Sequence, residues 1–249
     1  ASNGPPSEDI KDCLRSSELK AVEKVQASVA HAPIIVVLFS GRRREGDLQR
    51  YLEGKSINGK MPVVVLFDLV CGVQRDLTKR EVILDMARDL RTGHIVGFLA
   101  GPPCETWTLA RYETGVPPPL RLAAQLWGVG GLTKRQPGQV EIGNDLLAAT
   151  LMLARVASVS GGFFVIEHPA PLSKHRELGA ASIWRLPYSH LLSDHRDVAF
   201  HIIQQGRFGA KSSKPTGLLC CRLPTLFRRL KQFGRLPLPQ RISIGVDEH

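Results

Sequence analysis

The sequence predicts an α/β protein: a mostly parallel sheet with helices on both faces. Three observations carry that reading. Apolar runs alternate with amphipathic stretches along the chain. Each run is too apolar throughout for one of its faces to meet water, as in strands covered on both sides. And each run ends abruptly in Gly, Ser, Pro or an acid, the places where such sheets hold ligands.

The elements follow in order. Residues 1–10 are polar and contain Gly and Pro, and read as a loose leader. Residues 11–29 predict a helix with Leu14, Leu19, Val22 and Val25 on one side. "APIIVVLFSG" (32–41) is an unbroken apolar run and reads as a buried strand. "EGDLQRYLEG" gives a short helix that Gly54 can stop. "MPVVVLFD" (61–68) is a second buried strand, closed by an acid. "REVILDMARDLRTG" (80–93) is an amphipathic helix with a glycine stop. "HIVGFLAGPPC" (94–104) is a third strand. "EIGNDLLAATLMLARVASVSGG" (141–162) is a long apolar-striped helix, with Gly143-Asn144 read as its cap. "GFFVIEHP" (162–169) is the fourth strand. Between Arg111 and Gln139 the pattern breaks into Gly- and Pro-rich sequence, so 112–140 reads as a mobile loop that can act as a lid over what precedes it. The organisation is then a leader and helix at 1–29, an α/β domain at 30–219, and a basic tail at 220–249.

Bulk properties narrow the partners. At 249 residues and 43% hydrophobic content, the chain can bury one sizeable core. The net charge of +10 favours acidic partners, nucleic acid first. Nine of the Lys and Arg residues lie from His201 onward, against Asp247 and Glu248. No uninterrupted apolar run approaches bilayer length, so no membrane is expected. The five cysteines are odd in number and match no zinc spacing. They fit a reducing, intracellular compartment, nuclear or cytoplasmic, with no metal.

The strand ends hold the candidate chemistry. In "FLAGPPCETW", Gly101-Pro102-Pro103 fixes the backbone just before Cys104, which is how a fold aims one side chain. Glu167 closes the apolar run "GFFVI", and burial there would raise its pKa toward neutrality, where it can exchange protons. His168 reads as a supporting group rather than a metal ligand. Asp68 stands where nucleotide-type folds bind ribose hydroxyls. The Phe39-Ser40-Gly41 turn follows the first strand.

These residues, in this order, resemble the DNA cytosine-5 methyltransferases: "LFSG" after the first strand, "GPPC" after a later one, and a Glu-led tripeptide after the next. The resemblance spans residues 34–169. It implies a Rossmann-like, S-adenosylmethionine-dependent methyltransferase fold and a divergent, shortened member of the kind found in phages and mobile elements. It implies that Cys104 attacks carbon 6 of cytosine and that Glu167 stabilises the base protonated at ring nitrogen 3. It implies S-adenosylmethionine held by Phe39, Ser40, Gly41, Asp68, Asp76 and Pro102. The partner would be DNA, single-stranded DNA or RNA included, met by Arg111, Arg207, Lys211 and Lys214. This chain departs from the family at Glu167-His168-Pro169, where members carry Glu-Asn-Val, and at Gly41-Arg42-Arg43-Arg44, where they carry a more open glycine turn. Gln205 and Arg207 give part of a later Gln-x-Arg-x-Arg element. Two other readings stay open: a catalytically inactive module that binds nucleic acid, and an unrelated thiol enzyme pairing Cys104 with His168.

Overall fold

Four runs rich in Val, Ile, Leu and Phe form strands, as β-branched and aromatic residues favour on a pleated surface. They are β1 (Ile34–Leu38), β2 (Val63–Phe67), β3 (Ile95–Ala100) and β4 (Phe163–Pro169). They lie parallel in the order β2-β1-β3-β4. The computed structural model describes residues 32–41, 47–57, 59–114, 117–210 and 213–234. The leader, the helix expected at 11–29, Arg42–Arg44, Lys211 and residues 235–249 lie outside them.

From β1 the chain passes to β2 on one side, then crosses back to β3 on the other. That reversal opens a crevice at the carboxyl ends of β1 and β3. The register makes those ends level. Leu38 pairs with Phe67 and with Ala100, and Ala100 pairs with Ile166. The next residues along, Phe39, Asp68, Gly101 and Glu167, therefore stand in one row across the sheet.

The remaining two strands correct the expectation of a mostly parallel sheet. β5 (Val198–Gln204) and β6 (Pro215–Cys221) are antiparallel to each other, and β6 is antiparallel to β4. The full order is β2-β1-β3-β4-β6-β5, a mixed six-stranded sheet. The reason is the link at 205–214: a parallel return needs a crossover of a dozen or more residues, so this shorter link reverses the chain. β6 also runs through position 219 to Cys221 and leads into α7 (Pro224–Gly234), so the stretch read as a tail begins inside a strand.

Helices complete the domain. α1 (Leu48–Glu53) starts at Asp47, whose carboxylate accepts from Arg50 N. α2 (Arg80–Thr92) buries Ile83, Met86, Ala87 and Leu90, one helical face, and stops at Gly93 in the left-handed region. A five-residue helix, α3 (Ala110–Thr114), follows β3. α4 (Gln136–Ser160) packs on α2, and the two share a core with Val36, Leu38, Phe98, Ala100, Phe164 and Ile166 of the sheet. α4 starts before the expected position, so Gly143-Asn144 lies within the helix and is not its cap. By length and composition α4 is also long and apolar enough to cross a membrane; 72% of its most apolar window is buried in the protein. α5 (Ser173–Glu177) and α6 (Pro187–Ser193) fill the path from β4 to β5.

A candidate active site at the strand ends

The row of strand-end residues opens on a cavity of about 430 Å³, a volume typical of small-molecule sites. Phe39, Asp68, Asp76, Pro102, Cys104 and Glu167 all line it, so six of the positions singled out in the sequence meet there. Ser40 and Gly41 do not; they border a smaller neighbouring hollow of about 40 Å³ with Asp47 and Leu48. The strand ends at Leu38 and the chain turns at Phe39 through a left-handed conformation, so the residues after it leave the row of strand ends.

The turn after β1 is held in an unusual backbone state. Phe39 has φ 58° and Gly41 φ 66°. A phenylalanine in the left-handed region is uncommon, and such conformations gather at ligand sites. Phe39 N donates to Phe67 O at 2.8 Å. Asp68 secures the turn further: its Oδ2 accepts from Gly41 N and its Oδ1 from Val70 N, each at 3.0 Å. Asp76 accepts from Thr78 N (2.9 Å) and Thr78 Oγ1 (2.7 Å). Burial pushes the Asp76 carboxyl up, but those two bonds and the nearby Lys79 charge outweigh it and hold the group below its usual value. Arg75 also borders the cavity, with Nη1 donating to Leu66 O at 2.5 Å.

Cys104 sits half-buried at the end of the rigid Gly101-Pro102-Pro103 segment. Its carbonyl accepts from Trp107 N at 2.9 Å, closing a turn. The Glu167 carboxylate lies over Gly101: Oε2 is 3.5 Å from where a Cβ on that residue would stand. Burial raises the Glu167 pKa, and Lys214, 4.0 Å from Oε1, opposes the rise. Gln205 Nε2 donates to the same Oε1 at 3.4 Å.

The expected nucleic-acid contacts scatter. Arg111 binds backbone, with Nε on Glu105 O at 2.7 Å and Nη1 on Pro118 O at 3.2 Å. Arg207 sits in the 3-10 turn Gln205–Phe208. Lys214 faces Glu167, and Lys211 is outside the described residues.

His168 corrects an expectation. Successive residues of a strand point to opposite faces, so Glu167 faces the cavity while His168 enters the core. Its ring lies edge-on between Trp107 and Trp184, with centroids 6.2 and 6.3 Å away, and neither ring nitrogen has a hydrogen-bond partner. It does not line the cavity and supports no Cys104–His168 pair. Burial, helped by the Lys214, Arg121 and His175 charges, lowers its pKa to about 3. In the unfolded chain it titrates near its ordinary 6.5. Between those values the unfolded state binds a proton that the native state refuses, so stability falls as pH falls, by roughly 1.4 kcal/mol per pH unit. We expect His168→Phe to remove that slope. Denaturant unfolding at pH 7 and pH 5 should show the variant gaining about 2 kcal/mol on the wild type over that interval. Equal pH dependence in both proteins would contradict the account.

Arg121 was missed by sequence reading. It lies fully buried within the stretch expected to be a mobile lid. Its Nε donates to Thr106 Oγ1 (2.9 Å), its Nη1 to Asn144 Oδ1 (2.7 Å) and Leu126 O (2.8 Å), and its Nη2 to Val140 O (3.2 Å). The guanidinium also stacks 4.0 Å above the Trp107 ring. Gly143 leaves the room: a Cβ there would stand 3.2 Å from Nη2. One cation thus binds the turn after Cys104, the 117–135 stretch and α4 together. All four acceptors are neutral, and burial lowers the arginine pKa to about 9. A basic residue among prolines and glycines carries no local sign of burial, and Gly143-Asn144, read as a helix cap, gave none either.

Among the described residues no group of three or more His, Cys, Asp or Glu is gathered as for a metal ion. Comparison with protein-family models, with curated proteins and with solved structures finds no match to this chain.

Proposed function

We propose that the strand-end cavity is the active site of a cytosine-5 methyltransferase, with a nucleic-acid cytosine as substrate and S-adenosylmethionine as methyl donor. The observation that carries the reading is the shared cavity: a thiol on a rigid turn and a carboxyl with a raised pKa open into one space, beside three further acidic residues, Asp68, Asp76 and Glu105. The crevice at the reversal of strand order supports it further.

The residues fit the donor. Asp68 and Asp76 are acceptors for ribose hydroxyls, and Phe39 and Phe67 give aromatic faces suited to an adenine ring or a sulfonium cation. When bound, the donor supplies an electrophilic methyl group to carbon 5 of the activated ring. The chain's own residues do the rest. Glu167 gives its proton to ring nitrogen 3, which draws electrons from the ring and opens carbon 6 to the Cys104 thiolate; that addition leaves an enamine whose carbon 5 is nucleophilic. After methylation the carbon 5 proton leaves to water at the open mouth. The bond to Cys104 then breaks, carbons 5 and 6 regain their double bond, and the nitrogen 3 proton returns to Glu167. A base in duplex DNA must leave the stack to reach the thiol; a single-stranded one need not.

The test combines two measurements. Calorimetric titration should show S-adenosylmethionine binding, and DNA carrying 5-fluorocytosine, whose carbon 5 cannot release a proton, should become covalently fixed to the protein. Cofactor binding without an adduct overturns the reading. A second reading, an inactive module that binds nucleic acid, is favoured by the two backbone N–H groups already bonded to Asp68. It predicts salt-sensitive DNA binding and no cofactor binding.

A further inference from the structure

The link between β5 and β6 does more than reverse the chain. It delivers two side chains, Gln205 at its start and Lys214 at its end, to one oxygen of one carboxylate. Gln205 N donates to Lys214 O at 3.1 Å, so the backbone fixes their separation. Lys214 Nζ stands 4.0 Å from Glu167 Oε1, and Gln205 Nε2 stands 3.4 Å from the same atom. The other oxygen, Oε2, is left over Gly101, on the side of the Cys104 turn. The carboxyl is therefore oriented: Oε1 to the link, Oε2 to Gly101.

We propose that Lys214 is a positioning residue for Glu167, turning Oε2 toward the reacting base and setting the pH range over which the carboxyl can donate its proton. This rests on the methyltransferase reading only for what Glu167 donates to. Lys214 is then part of the acid–base machinery and not one of a row of phosphate contacts.

The surroundings of Glu167 make the direction definite. From the β5–β6 link come Lys214 and neutral Gln205. From the end of β3 come Gly101 to Cys104 and, beyond them, Glu105. From the end of β2 come Asp68, Arg75 and Asp76, across the same cavity. Lys214 is the cation paired with Glu167. With Lys214 gone, burial acts on the carboxyl with less opposition, and the proton is held to higher pH.

The experiment is a carbon-13 titration of the Glu167 carboxyl, assigned by its disappearance in Glu167→Gln, in wild type, Lys214→Met and Lys214→Arg. Lys214 is partly exposed, so both variants should fold. The midpoint should rise by about half to one pH unit in Lys214→Met and stay within about 0.2 in Lys214→Arg. The alkaline limb of adduct formation with 5-fluorocytosine DNA should move by the same amount. An unmoved midpoint overturns the inference, as does an unmoved limb in a variant whose midpoint has risen. A Lys214→Met variant that lowers the salt dependence of DNA binding by about one ion, with the midpoint unchanged, also overturns it and makes Lys214 a phosphate contact. Absence of any adduct in wild type counts against the methyltransferase reading instead, and the carboxyl midpoint still judges this one.

Discussion

Cys104→Ala should form no covalent adduct with 5-fluorocytosine DNA while binding S-adenosylmethionine with unchanged affinity. The loss should be complete, because no other described thiol can substitute. Cys220 and Cys221 are fully buried in β6, and burial pushes their thiols up to about 12 and about 11, so neither supplies thiolate near neutral pH. Cys71 closes the 3-10 turn Leu69–Cys71 and does not line the cavity. Cys71→Ala is therefore the matched control and should trap DNA as wild type does. Glu167→Gln keeps the shape of the carboxyl but cannot cycle a proton, and should slow adduct formation by about 10²–10⁴-fold, the usual worth of a positioned acid. Denaturing electrophoresis of labelled DNA reads all three variants. An adduct that survives Cys104→Ala would remove the nucleophile from the proposal.

Arg121→Met should lower unfolding stability by about 2–4 kcal/mol, the largest effect expected of a single substitution outside the cavity. Three acceptors lose this donor at once, Thr106 Oγ1, Asn144 Oδ1 and Leu126 O, while Val140 O, inside α4, keeps its helical partner. Each buried orphan costs on the order of 1 kcal/mol or more, and the lost stacking on Trp107 adds to that. One term runs the other way. The guanidinium is buried without an acid, so removing it also removes a desolvation penalty. The methionine fills the volume, which keeps the cavity term small. Three orphaned acceptors outweigh the relieved charge, and the sign is destabilising. Urea unfolding would check it; a loss below about 1 kcal/mol would mean that the network is held by its other members.

The parallel half of the molecule was legible because its signal is local. "IIVVL", "VVVLF", "IVGFLA" and "FFVIE" are each apolar without a break, and each became a strand within a few residues of the predicted limits. The cavity residues were legible because strand ends in such sheets face one crevice. β5 and β6 were not legible. "PTGLLCC" opens on Pro and contains Gly, neither of which favours a strand interior, and its strand state depends on pairing with β4 and β5. His168 shows the same limit at one residue: the tripeptide Glu167-His168-Pro169 looks like a single polar group, yet the pleat sends its first two members to opposite faces. Arg121 had no sequence signal because four neutral acceptors from three separate places make its site.

The strand order also sets a timetable for synthesis. β4, which carries Glu167, has one neighbour in β3 and waits for the other, β6, some 46 residues further along the chain, counting from Pro169 to Pro215. Until that late strand emerges from the ribosome, the outer edge of β4 stays unpaired, an open template for other chains. A product cut short before residue 205 would thus keep Cys104, lack both Gln205 and Lys214, the partners of Glu167, and expose a sticky border. Completion of the cavity's carboxyl side and protection against aggregation arrive together, with the last of the described strands translated.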